Sequence, residues 1–373
     1  MVFPNLKIGD IVARVPIIQG GMGVGISLSG LASAVANEGG IGVIAGAMIG
    51  MNEPDVAKNP LEANVRALRK EIRRAKELSK GVLGVNLMVA LTNFADLVKT
   101  SIDEKIDIIF SGAGLPLDLP KYLKEACEQR KEEVHTKLVP IVSSARAASV
   151  ICKKWMSRFD YLPDAFVVEG PKAGGHLGFK PEELDNPDFS LESVIPQVIE
   201  AVKPFEEKHN KRIPVIAAGG VYTGEDIHKF IEMGAAGVQM GTRFVATHEC
   251  DADERFKQAY VDAKQEDIVV IKSPVGMPGR AIRSSFVQDV DEGKRHPVKC
   301  PFHCIRSCQV EKSPYCIAAA LLNAKKGNLK KGFAFSGVNV HRVDKIQSVK
   351  DLVGSLGKEF DAAGTLRSIP QAS

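Results

Sequence analysis

The 373-residue chain lacks any run of about 18 or more apolar residues, so it offers no membrane-spanning helix. Its first residues, MVFPNLKIGD, hold no apolar stretch suited to a signal peptide, and the expected location is the cytoplasm. Charge of one sign is not in excess: 49 Lys and Arg against 45 Asp and Glu leave a net +4. Neither nucleic acid nor an anionic membrane is implied as a partner. Low-complexity segments are absent, as is any repeat beyond an alternation of strand-like and helix-like patterns. No nicotinamide-binding motif stands apart from that alternation, so NAD(P)H would have to bind transiently. The seven cysteines do not form a secreted framework. Cys127, Cys152 and Cys250 are scattered, while Cys300, Cys304, Cys308 and Cys316 crowd together. In a reducing compartment such crowding points to metal or redox chemistry rather than disulfides.

What is present is ordinary globular composition, 45% hydrophobic and 25% charged. Eight short apolar runs recur: 15–21, 41–46, 81–88, 105–112, 137–144, 164–170, 213–220 and 236–244. Most are continuous rather than alternating, as strands covered on both faces require. Helical patterns lie between them, for example over 61–79, 145–157 and 191–208. Eight such units over roughly 250 residues match a (β/α)8 TIM barrel of the α/β class. A doubly wound open sheet fits the count less well. After residue 265 the pattern becomes irregular. The expected division is therefore a barrel over 1–265 and, over 266–373, a C-terminal helical, cysteine-containing extension packing on it.

Small residues collect just past the strands, on the face where barrel enzymes build their sites. The seventh run ends in AAGGV, with Ala218, Gly219 and Gly220, and Thr223 is a candidate N-cap of the next helix. The eighth ends in QMGTRF, with Gly241 and Thr242. Paired turns at these two strands commonly hold a phosphate through backbone N–H groups and a helix N-terminus. The first run's QGGMGVGIS adds Gly21, Met22 and Gly23, expected across the barrel from the phosphate. A phosphate at one end and a bare apolar shelf at the other suit flavin mononucleotide, FMN.

Taken together, PIIQGGMGVGIS, GVNLMV, EGPKAGGHLGF, IPVIAAGGVYTGEDI and GVQMGTRFVAT resemble the 2-nitropropane dioxygenase family. That family includes the nitronate monooxygenases and the flavin-dependent enoyl-ACP reductases. The resemblance runs from about residue 10 to 285 and implies a TIM-barrel oxidoreductase holding FMN non-covalently. It implies that Met22 and Gly23 lie under the flavin ring and that Asn86 reaches its edge. It also implies a homodimer, since dimers are common in the family. Glu169, Lys172, Gly174 and Gly175 belong to the sixth strand's loop; Lys172 stands where the family pattern GPEAGGH has an acid.

In the same loop His176 is the candidate catalytic residue, because its reference pKa of about 6.5 allows proton transfer near neutrality. His135, His228 and His248 fall on helix or strand-end surfaces. The resemblance leaves two reactions open for His176: proton removal in nitronate oxidation, or proton supply in NAD(P)H-dependent reduction of an enoyl thioester. A positional His, a non-catalytic flavin protein and a flavin-free phosphate-binding barrel isomerase are the rivals. The cysteines follow C-x3-C-x3-C-x7-C. Pro301 and Pro314 suggest two helix starts, with Cys304 and Cys308 on one face and Cys316 in a first turn. Four cysteines complete a tetrahedral set for a [4Fe–4S] cluster or for zinc, the cluster having a rationale beside a flavin as a one-electron conduit.

Overall fold

The computed structural model of the chain describes residues 3–131, 133–297, 300 and 302–367. A two-stranded antiparallel hairpin, β1 (Leu6–Ile8) and β2 (Ile11–Ala13), precedes the barrel. The next six strands are β3 (Ile17–Gln19), β4 (Ile41–Ala45), β5 (Val82–Met88), β6 (Ile108–Gly112), β7 (Lys137–Val142) and β8 (Phe166–Glu169). A two-residue strand, β9 (Gly175–His176), intervenes before β10 (Val215–Ala218) and β11 (Gly237–Met240). Strands β3 to β8, β10 and β11 close into a parallel barrel of the TIM type, one strand for each apolar run of the sequence.

Inside the barrel Ile18, Ile41, Val43, Ile108, Phe110, Val139, Val167 and Ile216 form one packed cluster. Leu6, Ile8 and Ala13 of the hairpin join it and plug the N-terminal end. Outside, the strands meet α1 (Ser29–Asn37), α2 (Pro60–Leu78), α3 (Phe94–Asp103), α4 (Leu119–Arg130), α5 (Ala145–Phe159), α6 (Leu191–His209) and α7 (Gly224–Glu232). The helix α2 shows how sequence sets this layer. Pro60 opens it, and Ala63, Ala67, Leu68, Ile72 and Ala75 recur at helical spacing as its buried face. With both faces covered, each fully buried Leu, Ile or Phe contributes about 1.5–3 kcal/mol, which is why the strands are apolar throughout.

The last barrel strand leads into a single turn, α8 (Thr242–Val245), and then α9 (Glu254–Asp262). A hairpin follows, β12 (Ile268–Lys272) and β13 (Pro278–Ile282), and β13 pairs antiparallel with β9. Its register places Gly279 opposite His176. The remaining helices are α10 (Ser285–Asp291), α11 (Ile317–Lys325) and α12 (Val349–Arg367). Among the described residues no helix is long and apolar enough to cross a membrane.

The cysteine segment departs from its expectation. Among the described residues between Cys300 and Cys308 there is no helix; His303 sits at φ +43° and Ile305 forms a β-bridge with Leu91. Arg306 N donates to Ala90 O, and Thr92 N donates to Cys304 O, at 3.0 and 3.1 Å. Those partners on the turn after β5 replace intrahelical ones. Pro301, the expected helix start, lies outside the described residues. The second helix begins at Ile317, so Cys316 is its N-cap rather than a first-turn residue.

Candidate active site

At the C-terminal mouth of the barrel lies a cavity of about 290 Å³. Every residue expected at the cofactor lines it: Gly21, Met22, Gly23, Asn86, Glu169, Lys172, Gly174, Gly175, Ala218, Gly219, Gly220, Gly241 and Thr242. His176 lines it as well. A volume near 300 Å³ is the lower end of what encloses a small organic ligand.

One wall is bare backbone. Gly219 and Gly220 hold φ of +95° and +91°, a region that side chains avoid, so only glycine turns the chain here without strain. Among the described residues no hydrogen bond occupies the N–H of Gly219, Gly220 or Gly241. These are donors available to an anion. The N-terminus of α7 is different. Thr223 Oγ1 accepts from Asp226 N, Asp226 Oδ2 accepts from Tyr222 N and Thr223 N, and Glu359 Oε2 accepts from Gly224 N. Thr223 is thus the N-cap, and the cap engages the amides of Tyr222, Thr223, Gly224 and Asp226, leaving the glycine turns rather than this helix start for an anion. A second correction concerns β3, which pairs with β11. The glycine run of the first strand is beside the Gly241 turn, not across the barrel from it. A Cβ on Gly241 would lie 3.5 Å from Met22 Sδ.

Asn86 rises from β5 and packs so closely on Gly21 that a Cβ there would come within 2.3 Å of Asn86 Cβ. The C-terminal segment crosses the mouth above these turns. Asn339 Nδ2 donates to Gly220 O at 2.7 Å, and Gly337 N donates to Thr242 Oγ1 at 3.1 Å. Ser336, 2% exposed, lines the cavity, and its Oγ has no hydrogen-bond partner. A buried hydroxyl without a partner costs about 1–3 kcal/mol, which a polar ligand atom would remove.

On the other side, β9 brings His176 to β13. His176 Nε2 is 2.7 Å from Ser273 Oγ in the turn of the β12–β13 hairpin. The imidazole meets Phe335 edge-on, with ring centroids 5.0 Å apart. Burial lowers its pKa to about 4, so the ring is neutral at pH 7. Glu169 ends β8 inside the same cavity, and its carboxylate accepts no hydrogen bond from a described residue. Burial raises its pKa to about 7. The usual order of a Glu and a His is therefore inverted: between these values the acid keeps its proton and the imidazole is free to accept one.

Sequence patterns gave no sign of Ser273, Ser336 or Arg280. Arg280, buried, donates through Nη1 to Pro171 O and Ala173 O, both at 2.6 Å. It fixes the loop that carries Lys172, Gly174 and Gly175. Lys172 lies beside the phosphate-side turn: a Cβ on Gly220 would be 2.9 Å from Lys172 Cβ. The four clustered cysteines are outside this cavity, and among the described residues no group of three or more His, Cys, Asp or Glu is arranged to hold a metal ion.

Comparison with known proteins places this geometry in context. The profile of the nitronate monooxygenase family matches residues 5–359. A probable nitronate monooxygenase of Staphylococcus aureus is 28% identical over 302 residues, 74% of this chain and 78% of that protein. A Mycobacterium tuberculosis enzyme named (3aS,4S,5R,7aS)-5-hydroxy-7a-methyl-1-oxo-octahydro-1H-indene-4-carboxyl-CoA dehydrogenase is 29% identical over 280 residues. That alignment covers 75% of this chain but 66%, just under two thirds, of the dehydrogenase. Among solved structures, FabK from Thermotoga maritima superimposes with a TM-score of 0.71 at 29% identity, covering 95% of this chain and 96% of that one.

Proposed function

The chain belongs to the nitronate monooxygenase family, and from that premise we propose an FMN-dependent oxidoreductase that oxidises alkyl nitronates, with His176 as its base. The observation that carries the reading is the meeting, in one cavity, of unpaired glycine amides on one wall and the His176–Ser273 pair on another.

The cavity fits the cofactor. Gly219, Gly220 and Gly241 present amides for a phosphate, and Thr242 follows them at the head of α8. Ser336, whose buried Oγ has no partner, lines the cavity, as do Asn86 and Met22. When bound, the flavin supplies the acceptor for substrate electrons. The protein's own part is positioning and proton handling. His176, neutral at pH 7, takes the proton from a neutral nitroalkane; a nitronate already lacks it, so His176 then orients the anion by hydrogen bonding. Ser273 fixes the imidazole's rotation and, by whether it donates or accepts, its tautomer. Glu169, protonated below about pH 7, adds no negative charge against an anionic substrate.

A second reading is supported by the cavity's apolar wall. Phe256, Tyr260, Leu321 and Phe335 are among its lining residues. An NAD(P)H-dependent enoyl-thioester reductase would use that wall for an acyl chain and His176 for delivery of a proton. The likeness to FabK and to the CoA-thioester dehydrogenase agrees with it. Anaerobic reduction by NADH or NADPH, followed by addition of an alkyl nitronate or crotonyl thioester, separates the two. Turnover with nitronate and dioxygen but not with NAD(P)H and enoyl thioester supports the first reading. The reverse result replaces it.

A further inference from the structure

The loop before α11 contributes nothing to the chemistry above, yet it surrounds a cavity of its own. Cys300, Cys304, Cys308 and Cys316 all line a space of about 20 Å³, together with His303. That is room for roughly one water-sized sphere. None of the four is in a disulfide. A lone cysteine packs readily as a small apolar residue, but four converging on one void is a donor set, not a packing pattern. As the side chains stand the shell is not closed, since no three of them are arranged to hold an ion.

The backbone is already directed at sulfur. His303 N–H points to Cys300 Sγ at 3.4 Å, closing a tight turn on a thiol. Cys316 is the N-cap residue of α11, which places the fourth cysteine at a helix start. Val310, Tyr315 and Ile317 complete much of the rest of the void's lining.

The loop also ties together two walls of the active site. On one side Thr92 Oγ1 donates to His303 O at 2.9 Å, and Ile305 bridges to Leu91, on the turn after the strand that carries Asn86. On the other, Ser307 Oγ donates to Val275 O at 3.3 Å and Tyr315 OH donates to Lys272 O at 3.4 Å. Those acceptors flank Ser273, the partner of His176. The loop's own backbone has no sheet or long helix to hold its shape.

We propose that Cys300, Cys304, Cys308 and Cys316 bind a thiophilic metal, and that this centre holds the hairpin bearing Ser273 against His176. The void matches a single tetrahedral ion; an iron–sulfur cubane uses the same four donors with the loop opened around it. No electron step is assigned to it.

The test is elemental analysis and acid-labile sulfide on protein purified without oxygen, beside its FMN content. One zinc per chain without sulfide supports the centre as a single ion. Iron with matching sulfide supports it as a cluster. No stoichiometric metal, or metal retained in both Cys304→Ser and Cys308→Ser, overturns it. Cys308 is half-buried, so its variant is the one expected to stay folded with FMN bound; it should lose metal and show a lower kcat with little change in FMN content. Because metal content is read without any substrate, this result stands apart from whether the enzyme prefers nitronates or enoyl thioesters.

Discussion

His176 and Ser273 are 97 residues apart in sequence, and in the folded chain Nε2 and Oγ are 2.7 Å apart. The pairing of β9 with β13 brings them together, so the hairpin after the barrel positions the partner of the proposed base. Replacement of His176 by Asn should lower turnover of the neutral nitroalkane on the order of 10²- to 10⁴-fold, the range for loss of a general base, and that of the preformed nitronate much less. Ser273→Ala should cost less, on the order of tenfold, since the base remains but is less well held. Steady-state kinetics with FMN content measured in parallel check both, and FMN content should not fall.

The inverted acid and base make a prediction in pH. In the free enzyme kcat/KM should show an ionisation near 7 from Glu169 and none from His176 until about pH 4. Glu169→Gln should remove the upper ionisation; His176→Asn should not.

The same two groups bear on stability with opposite signs. Glu169 has its folded pKa raised from 4.5 to about 7, so folding favours the protonated carboxyl and stability is lost as pH rises through that window. His176 has its folded pKa lowered from 6.5 to about 4, so stability is lost as pH falls from 6.5. At about 1.4 kcal/mol per pKa unit each contributes at most about 3 kcal/mol. Thermal unfolding of the flavin-free protein should show Glu169→Gln gaining relative to wild type at pH 8 and not at pH 4.

Gly175 separates ligand space from backbone strain. It holds φ +79°, and a Cβ there would meet no protein atom within 4 Å, although the residue lines the cavity. Gly175→Ala should destabilise the fold by about 1–2 kcal/mol from the unfavourable backbone alone. A larger loss in FMN affinity than in stability, read by flavin titration beside thermal unfolding, is the expected outcome.

Arg280 holds the loop between Glu169 and His176 by two hydrogen bonds to carbonyl oxygens. Arg280→Met should cost roughly 3–5 kcal/mol, because it leaves both carbonyls buried without a donor. Its kcat should fall although no atom of Arg280 is proposed to touch substrate. Unchanged kcat in a folded Arg280→Met would show that the loop needs no such tie.

The barrel is legible because each strand is buried on both faces and must be apolar, while the turn at Gly219 and Gly220 needs φ values that favour glycine. The cofactor wall follows from the same local rules. Ser273, Arg280 and Ser336 were not legible. Each acts through a partner distant in sequence, and a single Ser or Arg carries no periodic signal. The segment from Cys304 to Cys308 misled for a related reason. Its proline and i, i+4 cysteines suit a helix, but Ala90, Leu91 and Thr92 take its backbone hydrogen bonds and make it a bridge instead. Thr223 caps α7 as its sequence suggests, whereas the approach of Glu359 to Gly224 from the far C-terminal helix has no local signal.

The central claim, that the glycine amides past β10 and β11 grip the phosphate of a flavin lying beside His176, is tested most directly by the bound chromophore. Freshly purified protein should carry about one FMN per chain, released intact on denaturation and taken up again from solution, with Gly219→Ala greatly weakening that uptake. Colourless protein that cannot be reconstituted with FMN would contradict the account.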